Sequence, residues 1–394
     1  MEAHPSVLKT VLMFTPIVLI PAMSMDVYVP SVPRMMELLH TSQASIQMTL
    51  SIFMFGMSLG QLLMGPLADH YGRKNILQVS LLIYAAATLS CALAHHVLPL
   101  IIFRLIQSVS ACGCIVCAWA CVRDVYSAEE SSSVYSYLNG AIGLAPILAP
   151  IIGGYLLYWS DTWRSGFFFL SFWVLGCLAL ATWGIKETLL VRSHQRLDRS
   201  VLRHYWKILK SEQFLRYTFG AAMGMAALFL FFSISPILLI QQLGVAEHHF
   251  GFYFGAVALV FFTFNMVCPR IHRTLGNAKT LLLASVFFIL GPILMILWHQ
   301  VWGLSAAGVV VPTLALYIGV GLIFGPSTAG SLAPFPQMAG TAAALFGAFE
   351  FGIPCVLGAV VMHWPITSMV SYALPLLGMG IICFTWSLIA VVRK

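Results

Sequence analysis

Residues Gly65–Lys74 read GPLADHYGRK, a short charged stretch between two long apolar ones. Each flank reaches the roughly twenty apolar residues that a helix needs to cross a bilayer. A connector this brief, carrying Asp69, Arg73 and Lys74, ties two membrane helices together on one side. The spacing Gly-x-x-x-Asp-x-x-Gly-Arg-Lys is too specific for chance.

Outward from this turn the same pattern repeats. The chain is 60% apolar and only 8% charged, whereas soluble domains run near about 25% charged. The apolar runs divide into about twelve spans. In the first half they lie at roughly 7–29, 43–66, 75–95, 97–121, 132–158 and 164–186. In the second half they lie at roughly 214–241, 249–269, 278–298, 302–330, 337–362 and 369–392. The first run has no small-residue cleavage site and leads into Asp26 and two prolines, so it reads as a retained span rather than a removed signal peptide. The fold class expected is an all-α membrane protein of twelve transmembrane helices.

The net charge is +7, and where the charges sit decides what that means. Take the N-terminus as cytoplasmic and alternate sides. Lys9, Arg73, Lys74, Arg123, Lys186, Arg192, Arg196, Arg199, Arg203, Lys207, Lys210, Arg216, Arg270, Arg273, Lys279, Arg393 and Lys394 then fall inside. Only Arg34 and Arg164 fall outside, and Arg104 lies within the membrane. This is a positive-inside pattern. It predicts an even number of spans with both termini cytoplasmic, and it makes the basic excess an orientation signal rather than a nucleic-acid patch.

The chain halves at 187–213, between bundles expected over 1–186 and 214–394. That basic stretch reads as a linker. It is either a solvated tether or an amphipathic helix on the anionic inner leaflet, with Leu197, Val201, Leu202, Tyr205, Trp206 and Leu209 on one apolar face. The second half echoes the first. CPRIHRTLGNAK stands between spans eight and nine, with Gly276, Asn277 and Lys279 where the first half has Gly72, Arg73 and Lys74, though the aspartate is missing. Weak internal symmetry of this kind is expected of two-half transporters, whose substrate site lies near mid-membrane.

Charges inside a membrane are costly, so each is a functional candidate. Asp26 lies late in span one and Arg104 early in span four, which runs the other way. Their depths are comparable, so they are candidates for a pair. Burial and a nearby cation push a carboxylate in opposite directions, and cargo that upsets that balance expels a proton. Glu350 stands near the midplane of span eleven, among Gly347, Gly352 and Pro354. It is a candidate to hold a proton, a cationic substrate group, or each in turn; the plainer alternatives are a solvated Asp26 and a neutral, hydrogen-bonded Glu350.

Several stretches narrow the match. The connector Gly65–Lys74 resembles the loop signature of the major facilitator superfamily. MSMDVYVPSVP around Asp26, RLIQS at Arg104–Ser108, VRDVY at Val122–Tyr126, GLAPILAPIIGG at Gly143–Gly154 and AGTAAALFG at Ala339–Gly347 are similar to drug:proton antiporters of the bicyclomycin-resistance and chloramphenicol-efflux (Bcr/CflA) type. The resemblance implies two pseudo-symmetric six-helix bundles, alternating access, and efflux against inward proton flow. It makes Asp26 the proton-coupling and substrate carboxylate, with Arg104 responding to it; Glu350 is a proton-coupling candidate by its own place in span eleven. It makes Gly65, Asp69, Gly72, Arg73, Lys74, Arg123 and Asp124 a cytoplasmic latch, in which Gly65 and Gly72 let backbones approach. It makes Gly143, Pro146, Pro150, Gly153 and Gly154 the antiporter-type motif of span five. Ser108 departs from the usual glycine, the span-five Gly-Pro pair is spread out, and Glu350 replaces a residue that is more often uncharged.

Asp26, Tyr28, Gln107, Tyr137, Asn139, Phe229, Phe232, Asn265, Phe349 and Glu350 are the substrate-binding candidates, an apolar cavity with few polar anchors that suits varied lipophilic molecules. No nucleotide loop, His-Glu-x-x-His or Gly-x-Ser-x-Gly is present, so no enzyme is expected and active transport must draw on an ion gradient. Protons are the expected coupling ion, with no other cofactor and no metal. Cys114, Cys117 and Cys121 share a helix face and read as small packing residues rather than a soft-metal site. The expected setting is the bacterial inner membrane, as a monomer contacting lipid and small molecules. A carrier of one metabolite, such as a siderophore, amino acid or sugar, remains the alternative, and a non-transporting receptor a more distant one.

Overall fold

The computed structural model describes residues 6–189, 199–361 and 368–392. Arg192, Arg196, Leu197, Arg393 and Lys394 lie outside them. The chain forms two compact units, Met1–Asp198 and Arg199–Lys394.

In the first unit, the opening span is built in pieces: α1 (Val7–Val18), α2 (Ile20–Asp26), a 3-10 turn at Val29–Ser31 and α3 (Val32–Leu38). Pro21, Pro30 and Pro33 each sit in the first positions of a new segment, where the missing N–H costs nothing. The prolines therefore redirect the span rather than end it. It runs on to Leu38, well past the boundary expected near residue 29. Then follow α4 (Gln43–Tyr71), α5 (Arg73–Ala92), α6 (Val97–Val125), α7 (Ala128–Ser160) and α8 (Arg164–Gly184).

Small residues set how closely these helices approach. Gly56 and Gly60 of α4 face Ser108 and Cys112 of α6. A Cβ added to Gly56 would stand 1.8 Å from Ser108 Oγ, and one added to Gly60 would stand 2.5 Å from Cys112 Cβ. This is the small-xxx-small packing of membrane helices, where close backbone contact stands in for hydrophobic drive. Ser108 is thus accommodated by the glycine opposite, and Cys112 fills the next gap as a small apolar side chain.

The second unit holds α9 (Arg199–Leu209), α10 (Glu212–Pro236) with a π-helical extension at Ile237–Gln242, α11 (Glu247–Trp302), α12 (Ala306–Leu332), α13 (Ala339–Val361) and α14 (Met369–Val392). Among the described residues 11 helices are long and apolar enough to cross a membrane. The longest, α11, breaks at Gly276 (φ 74°) into two spans, which gives twelve. Gly72 has φ 99° at the corresponding place between α4 and α5. Both glycines adopt a backbone that other residues rarely reach, so the two halves share a one-residue reversal as well as a sequence echo.

Candidate functional site

The centre of the first unit is a fully buried arginine. Arg104 of α6 donates through Nη1 to the main-chain carbonyl of Ser24 at 3.0 Å and to Gln107 Oε1 at 2.8 Å. Three rings surround its guanidinium, with centroids at 4.4 Å (Phe53), 4.5 Å (Tyr28) and 5.9 Å (Phe167). Stacking on aromatic faces suits a planar, weakly hydrated cation. Gln107 passes the chain on to Thr88 Oγ1 at 2.8 Å, and Thr88 donates to the Tyr84 carbonyl at 2.7 Å. The Tyr84 hydroxyl returns to Ser24 Oγ. A closed polar circuit therefore joins α2, α5 and α6. Nε and Nη2 of Arg104 remain buried without acceptors among the described residues.

Asp26 ends α2, two residues beyond Ser24. It is fully buried, and its Oδ1 has no hydrogen-bond partner among the described residues. The expected Asp26–Arg104 pair does not form: the arginine is taken by the Ser24 carbonyl and Gln107. The break in the span explains this, because it presents a main-chain acceptor to Arg104 just before the carboxylate. Span five fixes the place of that break. A Cβ on Gly153 of α7 would stand 1.8 Å from the Val27 carbonyl oxygen, and Val27 packs with Ala145 and Ala149 of the same helix. The Gly143–Gly154 stretch thus holds the bend beside Asp26, with Pro146 and Pro150 inside a continuous helix.

At the other end of the unit lies the charged cluster. Arg73, only 4% exposed, is paired with Asp69 and donates Nε to Asp124 Oδ2 at 3.1 Å. Glu187, beyond α8, completes it. Its Oε1 accepts the main-chain N–H of Arg73 at 2.9 Å and those of Thr188 and Leu189 at 3.0 and 3.1 Å. A carboxylate at the N-terminus of α5 also meets the positive end of the helix dipole. Lys74 donates to the Thr182 carbonyl at 3.0 Å. Arg123 is exposed and lies 4.0 Å from the carboxylate of its neighbour Asp124. Among the described residues nothing lies within 4 Å of a Cβ added to Gly65, and the neighbour of one added to Gly72 is the Glu187 carboxylate at 2.4 Å rather than another backbone, so neither glycine makes the backbone approach expected of it.

The remaining candidates are spread over both units. Tyr28 is buried, its hydroxyl 3.3 Å from Thr49. Tyr137 and Asn139 are exposed on α7. Phe229 and Phe232 are buried on α10, where Phe232 stacks on Phe254 at 5.2 Å. Asn265, Phe349 and Glu350 are half-buried on α11 and α13. Pro354 lies one turn beyond Glu350 and has no N–H to give its carbonyl.

The Major Facilitator Superfamily profile matches residues 14–359. The chain belongs to the major facilitator superfamily. Within it, the chain is 32% identical to a chloramphenicol resistance protein of Pseudomonas aeruginosa, over 86% of this chain and 80% of that protein. It is 29% identical to a bicyclomycin resistance protein homolog of Haemophilus influenzae, over 87% and 86%. It is 26% identical to the multidrug resistance protein MdtL of Klebsiella pneumoniae, over 84% and 82%. These relatives agree with the Bcr/CflA type. A D-xylose-proton symporter has the same fold, with a TM-score of 0.77 at 14% identity over 97% of this chain and 98% of that one. The family and these structural neighbours are transporters spanning the membrane many times.

Reading the superfamily signature alone misses Ser24, Tyr84, Thr88 and Glu187. Thr88 and Tyr84 lie one turn apart on the face of α5 that meets α6, a polar pair in an apolar span and hence a legible signal. Ser24 acts chiefly through its carbonyl, which no side-chain pattern reports.

Proposed function

We propose that this chain is a proton-coupled exporter of small, mostly lipophilic compounds. It works as an antiporter by alternating access in a bacterial inner membrane, with both termini cytoplasmic. The observation that carries the reading is the buried Asp26 oxygen, without a partner among the described residues and close in sequence to a carbonyl that occupies Arg104. A charged carboxylate inside a span is costly to keep, so a carboxyl retained there is a functional group by default. The spare donors on Arg104 give cargo a polar contact without dismantling the circuit. Glu350, half-buried on α13, is a second intramembrane carboxyl and a second candidate to hold the proton. Cargo displaces the proton from one or both, leaves outward, and a proton from the outer side restores the carboxyl. The relatives named for chloramphenicol, bicyclomycin and multidrug resistance support a drug-like cargo, and a sequence without a nucleotide loop fits transport driven by an ion gradient.

The test is pH-gradient-driven uptake into inverted vesicles over a chemically mixed panel. Wild type is compared with Asp26→Asn, Glu350→Gln and the double variant. Several unrelated compounds are expected to compete, and transport should collapse with the gradient and in the double variant. Undiminished pumping by that variant would sink the proton role. A single accepted solute would favour a metabolite carrier.

A further inference from the structure

Helix α9 is short and lies outside the spans, yet it is firmly oriented. Ile208 is fully buried, Tyr205 is half-buried, and the helix packs against α10 and α13. That contact leaves Arg203, Trp206, Lys207 and Lys210 exposed. Their spacing of i, i+3, i+4 and i+7 puts them on one helix face. The face is thus three cations around an indole, with the Lys210 ammonium 5.8 Å from the Trp206 ring. Trp206 does not join the apolar face expected from sequence; it points away from the packed side and is 63% exposed. Among the described residues no carboxylate pairs with Arg203, Lys207 or Lys210.

The place of the helix says what covers this face. α9 ends at Leu209 and α10 begins at Glu212, with Ser211 capping it through Phe214 N–H at 3.3 Å. The span that starts at Glu212 therefore holds α9 at the bilayer surface. We propose that the Arg203–Trp206–Lys207–Lys210 face of α9 docks on the headgroups of anionic phospholipids in that leaflet. The cations meet phosphate, and the indole, apolar in body and polar at its N–H, sits at headgroup level. Zwitterionic lipid supplies no net charge to match three unpaired cations. A lipid surface is the nearer source of phosphate, since only Lys210 and Ser211 separate α9 from the span that begins at Glu212.

The test uses the full chain, purified in detergent and followed by native mass spectrometry. It is titrated with dioleoyl phosphatidylglycerol and, separately, dioleoyl phosphatidylcholine. Phosphatidylglycerol adducts should dominate for wild type. Affinity should fall about fivefold for each cation neutralised in the series leading to R203Q/K207Q/K210Q. Trp206→Ala should weaken binding further, and the charge-conserving R203K/K207R/K210R should restore it, which separates lipid binding from a folding defect. Equal binding of the two lipids by wild type would overturn the proposal. So would unchanged phosphatidylglycerol binding by the neutralised variant, or displacement of the lipid by a short DNA duplex at equal phosphate concentration.

Discussion

Arg104 Nη1 lies 3.0 Å from the main-chain carbonyl of Ser24, and this contact, rather than an ion pair with Asp26, is what the arginine makes with the first span. A cation that satisfies a carbonyl leaves the carboxylate two residues on without a counter-charge. The two groups thereby keep separate jobs: Arg104 pins the bend, and Asp26 stays available.

Arg104→Leu strands the Ser24 carbonyl and the Gln107 oxygen in an apolar core. At about 1–3 kcal/mol for each buried acceptor left unmet, the unit should lose roughly 3 kcal/mol. Arg104→Lys keeps the charge but not the planar stack on Tyr28 and Phe53, so its loss should be smaller. Thermal unfolding in detergent reads both, and a Leu variant as stable as wild type would contradict this account.

Gly153→Ala pushes a methyl group into the Val27 carbonyl. Overpacking of this kind costs about 1–3 kcal/mol, and here it should also displace the bend that carries Asp26, lowering transport in step with stability. Gly140, on the same helix with nothing within 4 Å, is the control: Gly140→Ala should be neutral or stabilising by about 0.5 kcal/mol. Expression level and thermal midpoint distinguish the two.

Gly56→Ala collides with Ser108 and should destabilise the α4–α6 contact by about 1–3 kcal/mol. The double variant Gly56→Ala/Ser108→Gly removes the hydroxyl but leaves the Leu105 carbonyl 3.0 Å from the new methyl, so it should recover about half of that loss. Failure to recover would mean that the space at Gly56 serves something besides Ser108.

Gly72→Ala meets two obstacles, a backbone with φ 99° and the Glu187 carboxylate. The first costs about 1–3 kcal/mol by itself. Glu187→Ala removes the cap on α5, worth about 1 kcal/mol. Because it also removes the collision, the double variant should lose less than the two single losses added together, by at least about 0.5 kcal/mol. Strict additivity in detergent unfolding would show that Glu187 moves aside freely.

Much of this was legible. The Gly65–Lys74 turn and the apolar periodicity are properties of neighbouring residues, and they lead directly to twelve spans. Gly276 could be matched to Gly72 because a left-handed turn needs the same residue in both halves. Arg104 and Asp26 stood out as intramembrane charges. The acceptor of Arg104 in the first span did not: a main-chain carbonyl is present at every position and carries no signature, and only the broken span singles out that of Ser24. Glu187 lies 114 residues from Arg73, near a polar linker where an acidic residue looks like ordinary solvated surface. Trp206 lies on the exposed side of α9 and not on the packed one, because period alone gives a face but not the direction in which it packs.

The reversals at Gly72 and Gly276 bear on how the protein is made. Each joins its two spans without slack, so the second helix of the pair has no room to wait in water while the first enters the bilayer. Both members must partition together as a hairpin, and an epitope or reporter spliced into either corner would meet the biosynthetic machinery before it ever met a folded protein.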